Sequence, residues 1–340
     1  MSWQSQLRGD SLSWLLEKDT PNVRYLALRD LVDDGKVSDD QRRARKAAHA
    51  DGPIPRILGK MSKEGYWVKP GAGYTQKYRS GVWSLLMLAQ LGASVEADPR
   101  VERACTYLLD HGMAPGGQIT TTTSGAPSGT VDCLQGNMCW SLLELGCEDP
   151  RLAQAFDWMA RSQTGEGLAP ATDRTAPNRY FAYKCGPNFA CGANGGKPCA
   201  WGATKVMLAF GKLPKSRRTP LIQRAIQRGV DFLFSVDPAD ADYPTRTGAK
   251  TSRDWWKFGF PVFYVSDLLQ IVEALVALGY GRDPRLSRAL QLIRDKQDPD
   301  GRWSLDYNYT GKTWVSFGPK HQPNKWVTLR ALRVLKAVGG

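Results

Sequence analysis

No apolar run of about 18 residues, the length a membrane-crossing helix needs, occurs in the chain. No integral membrane segment is expected. The first residues, Met-Ser-Trp-Gln-Ser-Gln-Leu-Arg, also lack the apolar stretch of a secretory leader, which predicts a cytoplasmic protein. The even cysteine count of a secreted disulfide framework is missing too, since the chain has seven. No zinc-finger, homeodomain or RNA-recognition signature accompanies the positive charge, and basic residues cluster only around 42–46 and 215–218. Nucleic acid is therefore not the expected partner.

What is present is an ordinary globular composition, 42% hydrophobic and 23% charged over 340 residues, enough for a sizeable core. The formal net charge of +13 favours a small-molecule substrate that is anionic, with an apolar part suited to a protein holding 12 tryptophans. Cys105, Cys139 and Cys147 fall within or at the end of apolar helical patterns and read as small core hydrophobes. That leaves Cys133, Cys185, Cys191 and Cys199. Three of these sit in the segment 184–202, which holds four glycines before its last cysteine and two prolines, too irregular for a helix or central strand. Cys199 directly precedes the apolar run Ala200-Trp-Gly-Ala-Thr-Lys-Val-Met-Leu-Ala-Phe. Unpaired N–H groups and the dipole at such a helix start favour a thiolate. Cys133 opens a second apolar run after a Thr/Gly/Ser-rich stretch. Clustered thiols in a reducing compartment point to zinc, with a free reactive thiol and plain packing as the other readings. Four thiolates make a closed, structural site, whereas three with water, substrate or His321 leave an open Lewis-acid position.

Along the chain, two short helices are expected within residues 10–34 and a charged one from about Ser38 to Ala50, with Pro53 and Pro55 breaking the pattern. A unit then recurs at intervals of roughly 50–65 residues. Leu91-Gly92 precedes Asp98-Pro99-Arg100, Leu145-Gly146 precedes Asp149-Pro150-Arg151, and Leu278-Gly279 precedes Asp283-Pro284-Arg285. Each reads as an apolar helix closed by glycine, then an amphipathic helix opening at Asp-Pro. Phe210-Gly211 lacks that sequel. Counting back 12 or 13 residues from each closing glycine aligns Arg79, Cys133, Cys199, Ser266 and Trp326 as apolar-helix starts. If the apolar helices form an inner ring, these starts gather at one end.

Lys296-Gln-Asp-Pro-Asp-Gly-Arg-Trp303 resembles the Gln…Gly-x-Trp repeat of squalene cyclases and prenyltransferases. Gly65-Tyr-Trp67, Lys77-Tyr78, Trp83 to Gly92, Cys133-Leu-Gln-Gly-Asn137, Pro198-Cys-Ala-Trp-Gly202, Phe258 to Asp267 and Lys325 to Leu332 are similar to bacterial prenyltransferase/squalene oxidase repeat-containing proteins. The resemblance covers about residues 20–338. It implies an all-α fold, an α/α toroid over 64–340 with short N-terminal helices of 1–63 packed on it. Protein prenyltransferases, which share that fold, hold a catalytic zinc with an Asp, a Cys and a His. Cys133 matches the cysteine; Asp132 stands directly before it instead of two residues before, and no histidine occupies a matching helix start, His321 lying just before the last inner helix. Asp237-Pro-Ala-Asp240-Ala-Asp242 lacks the adjacent pair of the cyclase acid motif, and Asp33-Asp34 and Asp39-Asp40 lie on outer N-terminal helices. Cation–olefin cyclisation is not expected.

The sequence thus predicts a zinc-dependent hydrolase or transferase of a phosphate, diphosphate or related ester, working in the central cavity. Its metal ligands are Cys133, Cys185, Cys191 and Cys199; Asp132, Tyr264, Asp267 and His321 are candidate catalytic groups. Lys77, Tyr78, Arg79, Trp255 and Trp256 are candidate substrate contacts. Two other readings remain: a promiscuous zinc hydrolase of esters or phosphotriesters, and a non-catalytic ligand- or partner-binding toroid with a structural zinc.

Overall fold

In the computed structural model the described residues are 2–32, 37–122, 129–169, 185–248 and 252–339; Asp33, Asp34 and Lys184 lie outside them. Short helices come first: α1 (Ser11–Leu15), α2 (Pro21–Ala27), α3 (Asp39–Ala50) and α4 (Pro53–Leu58). Pro53 begins α4 instead of only ending what precedes it, because proline at the first helical position gives up no internal hydrogen bond. Apolar helices α5 (Gly81–Gln90), α7 (Asp132–Glu144), α9 (Ala200–Lys212), α11 (Leu268–Ala277) and α13 (Lys325–Gly339) then alternate with amphipathic ones. These partners are α6 (Pro99–Gly112), α8 (Arg151–Thr164), α10 (Pro220–Leu233) and α12 (Ser287–Asp295). The described residues form an all-α protein; their only β pairing is isolated bridges such as Met113 with Ile119. Among them no helix is long and apolar enough to cross a membrane.

The repeat has a local physical cause. Gly92, Gly146 and Gly279 take φ of 79°, 82° and 98°, a region that glycine enters at no steric cost. Asp98, Asp149 and Asp283 each accept the backbone N–H two residues on, at 2.9, 2.9 and 3.0 Å, and each also holds that residue's guanidinium. Each Asp-Pro-Arg triplet is thus a self-contained helix start. In the third unit Gly211 lies inside α9, and Thr219 takes over as cap, its hydroxyl accepting from Ile222 N.

The apolar helices touch in chain order, α5 to α7 to α9 to α11 to α13, the first four each with its amphipathic partner against it. Between α13 and α5 stand the N-terminal elements: α13 meets α2 and the turn Leu28–Val32, and α4 meets α5. The tightest crossing is α7 on α9. A Cβ built on Gly136 would come within 2.4 Å of the Lys205 carbonyl carbon, so only glycine allows that approach.

A buried segment, 258–266, runs down among these helices, and four of them offer it a polar side chain. Gln90 of α5 exchanges two bonds with Val262, at 2.9 and 2.8 Å. Asn137 of α7 donates to Phe263 O at 3.2 Å, Lys205 of α9 to Val265 O at 3.4 Å, and Arg330 of α13 to Gly259 O at 2.9 Å. A loop buried away from water must have its carbonyls satisfied, and these isolated polar residues in apolar helices satisfy them.

Candidate functional site

The segment 258–266 separates two regions. Beyond it, toward the helix ends, lies a cavity of about 290 Å³ lined by all five apolar helices and by Arg29 and Asp30. Its charges are paired: Arg29 with Glu144 at 2.8 Å, Arg333 with Asp30, and Arg330 with Glu273 at 2.9 Å. Burial alone would raise the Asp30 carboxyl, but Arg333 and Arg29 hold it at about 2. None of the residues singled out in the sequence as candidate site groups lines this cavity.

The thiols lie at the helix starts. Cys133 stands at the second position of α7, and Cys199 caps α9. A bridge between Ala190 and Pro198, with Cys199 N donating to Phe189 O at 2.9 Å, folds the intervening loop back on itself. That turn brings Cys191 into a hydrogen bond with Cys199. Cys133 feels both Cys191 and Cys199, and Cys185 feels Asp132, Cys191 and Cys133. Thiols from α7 and from a loop more than 50 residues later therefore share one neighbourhood. They are not arrayed as ligands: among the described residues no three His, Cys, Asp or Glu side chains are disposed to hold one metal ion.

The electrostatics correct one expectation. The helix start was expected to favour the Cys199 thiolate, yet its bond with Cys191, with burial adding, pushes this thiol well up. Cys133 keeps a partly open face, but its sulfur lies deep, and burial drives it up to about 12, Lys205 opposing. Asp132 is buried and raised well above the carboxylate range by burial. Its Oδ1 accepts from Gln163 Nε2 at 2.8 Å, and Gln163 Oε1 accepts from Phe189 N at 3.0 Å, tying α7 to α8 and the thiol loop. Asp132 Oδ2 has no well-formed partner, only the Gly186 backbone N–H nearby.

Two shallow openings flank the cluster. One, about 200 Å³, is lined by Cys199, Trp201, Tyr243, Trp255 and the polar Asn194 and Ser252. Trp255 itself is buried, its indole N–H on Pro238 O, while Trp256 donates to Ala239 O at 2.8 Å, so both also pin that loop. The exposed Lys197 and Arg246 stand close by; Lys197 donates to Thr245 O, and Arg246 packs on Gly195. The other opening is lined by Tyr74, Trp83, Cys133 and Tyr264, with Lys77 over the same three rings. Tyr78 is packed among Trp83, Phe263 and Tyr309, and burial raises its phenol. Arg79 lies over Trp314 and donates to Gly311 O.

Two candidate catalytic groups have other engagements. Asp267 is fully buried: Oδ1 accepts from Gln270 N at 2.8 Å, and both oxygens bond Arg330. A carboxylate so occupied caps α11 and neutralises Arg330 and offers substrate no free oxygen. His321 is exposed on a left-handed turn, φ 63°, and only its backbone N–H is engaged, on Leu305 O.

Lys205 escaped the sequence reading. It is fully buried in α9 with its amine on Gln270 and Val265 O, and burial brings it down to about 7. A lysine in the middle of an otherwise apolar stretch, Ala200 to Phe210, was the available signal. Cys105 and Cys147, read as packing, bond to each other, and this bond lowers Cys147 to about 7.

No family model matches the chain, and no curated protein sequence matches it. A solved structure of a protein from Actinoplanes is similar at 14% identity over 100% of both chains, with a TM-score of 0.47. A likeness that distant carries no argument about function.

Proposed function

We propose that this protein is a zinc-dependent hydrolase or transferase of anionic esters, built as an α/α toroid with its site at the helix-start end. The observation that carries the reading is the convergence of Cys133 with Cys185, Cys191 and Cys199 beside a carboxyl whose Oδ2 lacks a good partner. No three of these groups are placed to hold one metal ion among the described residues, so zinc would have to draw them together, but their chemistry suits it. Asp132 and the thiols of Cys133, Cys185 and Cys199, all raised by burial or by a neighbour, would gain most from a divalent cation that ionises them. The order of helix contacts and the cavity shared by all five apolar helices support the toroid. Seven free thiols suit a cytoplasmic location.

Bound zinc supplies a Lewis acid for a phosphoryl or carbonyl oxygen and a water of lowered pKa. The chain's own residues do the rest. Trp201, Trp255 and Tyr243 offer an aromatic wall for an apolar leaving group beside Cys199. Lys197 and Arg246, together with the net charge, draw an anion toward that opening. Asp132 holds the loop through Gln163 and, kept protonated by burial, can give up a proton beside the thiols.

Metal analysis and X-ray absorption at the zinc edge test the reading, alongside turnover of aryl phosphate and aryl ester substrates. About one zinc per chain with sulfur donors is expected, lost in Cys133→Ser and Cys199→Ser together with turnover. Turnover in zinc-free protein would overturn it. A four-sulfur site whose removal unfolds a protein with no prior turnover would instead favour the structural zinc of a binding toroid.

A further inference from the structure

Lys77 occupies a position the zinc reading does not need. Its ammonium lies 5.6 Å from the centre of the Tyr74 ring, 5.9 Å from Trp83 and 4.6 Å from Tyr264. The rings also touch one another: centroids are 5.2 Å apart for Tyr74 and Trp83, and 6.2 Å for Trp83 and Tyr264. Lys77 has no ion pair among the described residues. Ring faces alone therefore hold the charge, by attraction to their negative centres.

The lysine and its cage differ in exposure. Lys77 is exposed, Trp83 is buried, and Tyr74 and Tyr264 are half-buried. Trp83 is fixed by its N–H on Tyr74 O at 2.9 Å and by edge contacts with Tyr78 and Phe263. The cage is therefore part of the packed structure, whereas its occupant is a surface side chain that can swing away without opening the core.

We propose that Tyr74, Trp83 and Tyr264 form a binding site for a small soluble alkylammonium, a quaternary or methylated amine, with Lys77 as the tethered competitor that fills it otherwise. A primary ammonium gives up strongly held water on entering such a cage, while a methylated one is weakly hydrated and meets the rings with its whole surface. The methylated cation wins that exchange. A small monocation fits better than a polybasic peptide, since the chain's formal charge is already +13 and Arg79 follows two residues after Lys77. The site lies beside Cys133 but uses neither Cys199 nor the pocket next to it, and its test reads cation binding without metal or turnover, so it can fail or hold independently of the zinc reading.

The tether keeps Lys77 at a high local concentration, which weakens the apparent affinity of any free ligand by the fraction of cage left open. Titration calorimetry with tetramethylammonium chloride, sodium chloride and the neutral isostere neopentyl alcohol separates charge from shape. Lys77→Ala is expected to bind tetramethylammonium about ten-fold more tightly than the native chain, and Lys77→Gln to do the same. Neopentyl alcohol and sodium should bind neither, and Tyr264→Leu added to Lys77→Ala should remove most of the gain. Folded Lys77→Ala and Lys77→Gln proteins that show no saturable tetramethylammonium binding, or that bind the neutral isostere equally well, would overturn the proposal.

Discussion

Single polar residues set inside apolar helices decide how the interior is arranged. Lys205 shows the cost most directly. Burial brings its amine down to about 7, while the unfolded value is about 10.4. Between those values the unfolded chain binds the extra proton, so this group's contribution to stability rises with pH through that window and is at its most unfavourable below it. Urea unfolding from pH 7 to 10 is expected to show a rise of up to ~1.4 kcal/mol per pH unit from this group. Lys205→Met should lose that slope; an unchanged slope in the variant would show that the amine titrates normally. Asp132 makes the opposite point. Its carboxyl is held neutral by burial beside neutral thiols, a state that a cation would reverse.

At the level of elements, the closest helix pair is set by what is missing from Gly136. The Lys205 carbonyl carbon and Val206 N would lie 2.4 and 2.5 Å from a Cβ there. Backbone atoms cannot rotate aside, so α7 and α9 must separate, carrying Cys133 away from the loop that ends at Cys199. Gly136→Ala is expected to lose about 1–3 kcal/mol, read by thermal unfolding, and to weaken any metal binding with it. Gly81→Ala is the control, since a Cβ there meets nothing nearer than 3.8 Å; equal losses in both would mean that helix spacing is not the cause. The segment 258–266 is the other decisive element. Arg330 joins its Gly259 carbonyl to Asp267 and Glu273, so one guanidinium anchors the loop, the start of α11 and the cavity wall together.

Across the whole molecule, ion pairs tie the N-terminal elements to the repeats. Asp30 bonds both Arg29 and Arg333, and Arg29 reaches Glu144 of α7, so the turn after α2 links α13 to the opposite wall of the cavity. Calorimetry is expected to show one transition, with Asp30→Ala lowering the whole of it by about 1.5–3 kcal/mol, because two guanidinium groups lose their charged partner. A separate low-temperature transition for the N-terminal helices would contradict this. The sequence by itself determined the all-α class, the glycine stops and the Asp-Pro-Arg starts, because caps and hydrophobic period act over a few residues and need no distant partner. It also singled out the four cysteines by elimination. Only the tertiary structure decided which residues face which region. Asp267, picked out for its place at a helix start, is consumed by Arg330, and Lys77 sits in an aromatic cage beside Cys133. The charged cavity lies on the far side of a loop that no periodicity marks. Those outcomes depend on contacts between residues tens to hundreds of positions apart, and such contacts are fixed by how helices pack rather than by where each one begins.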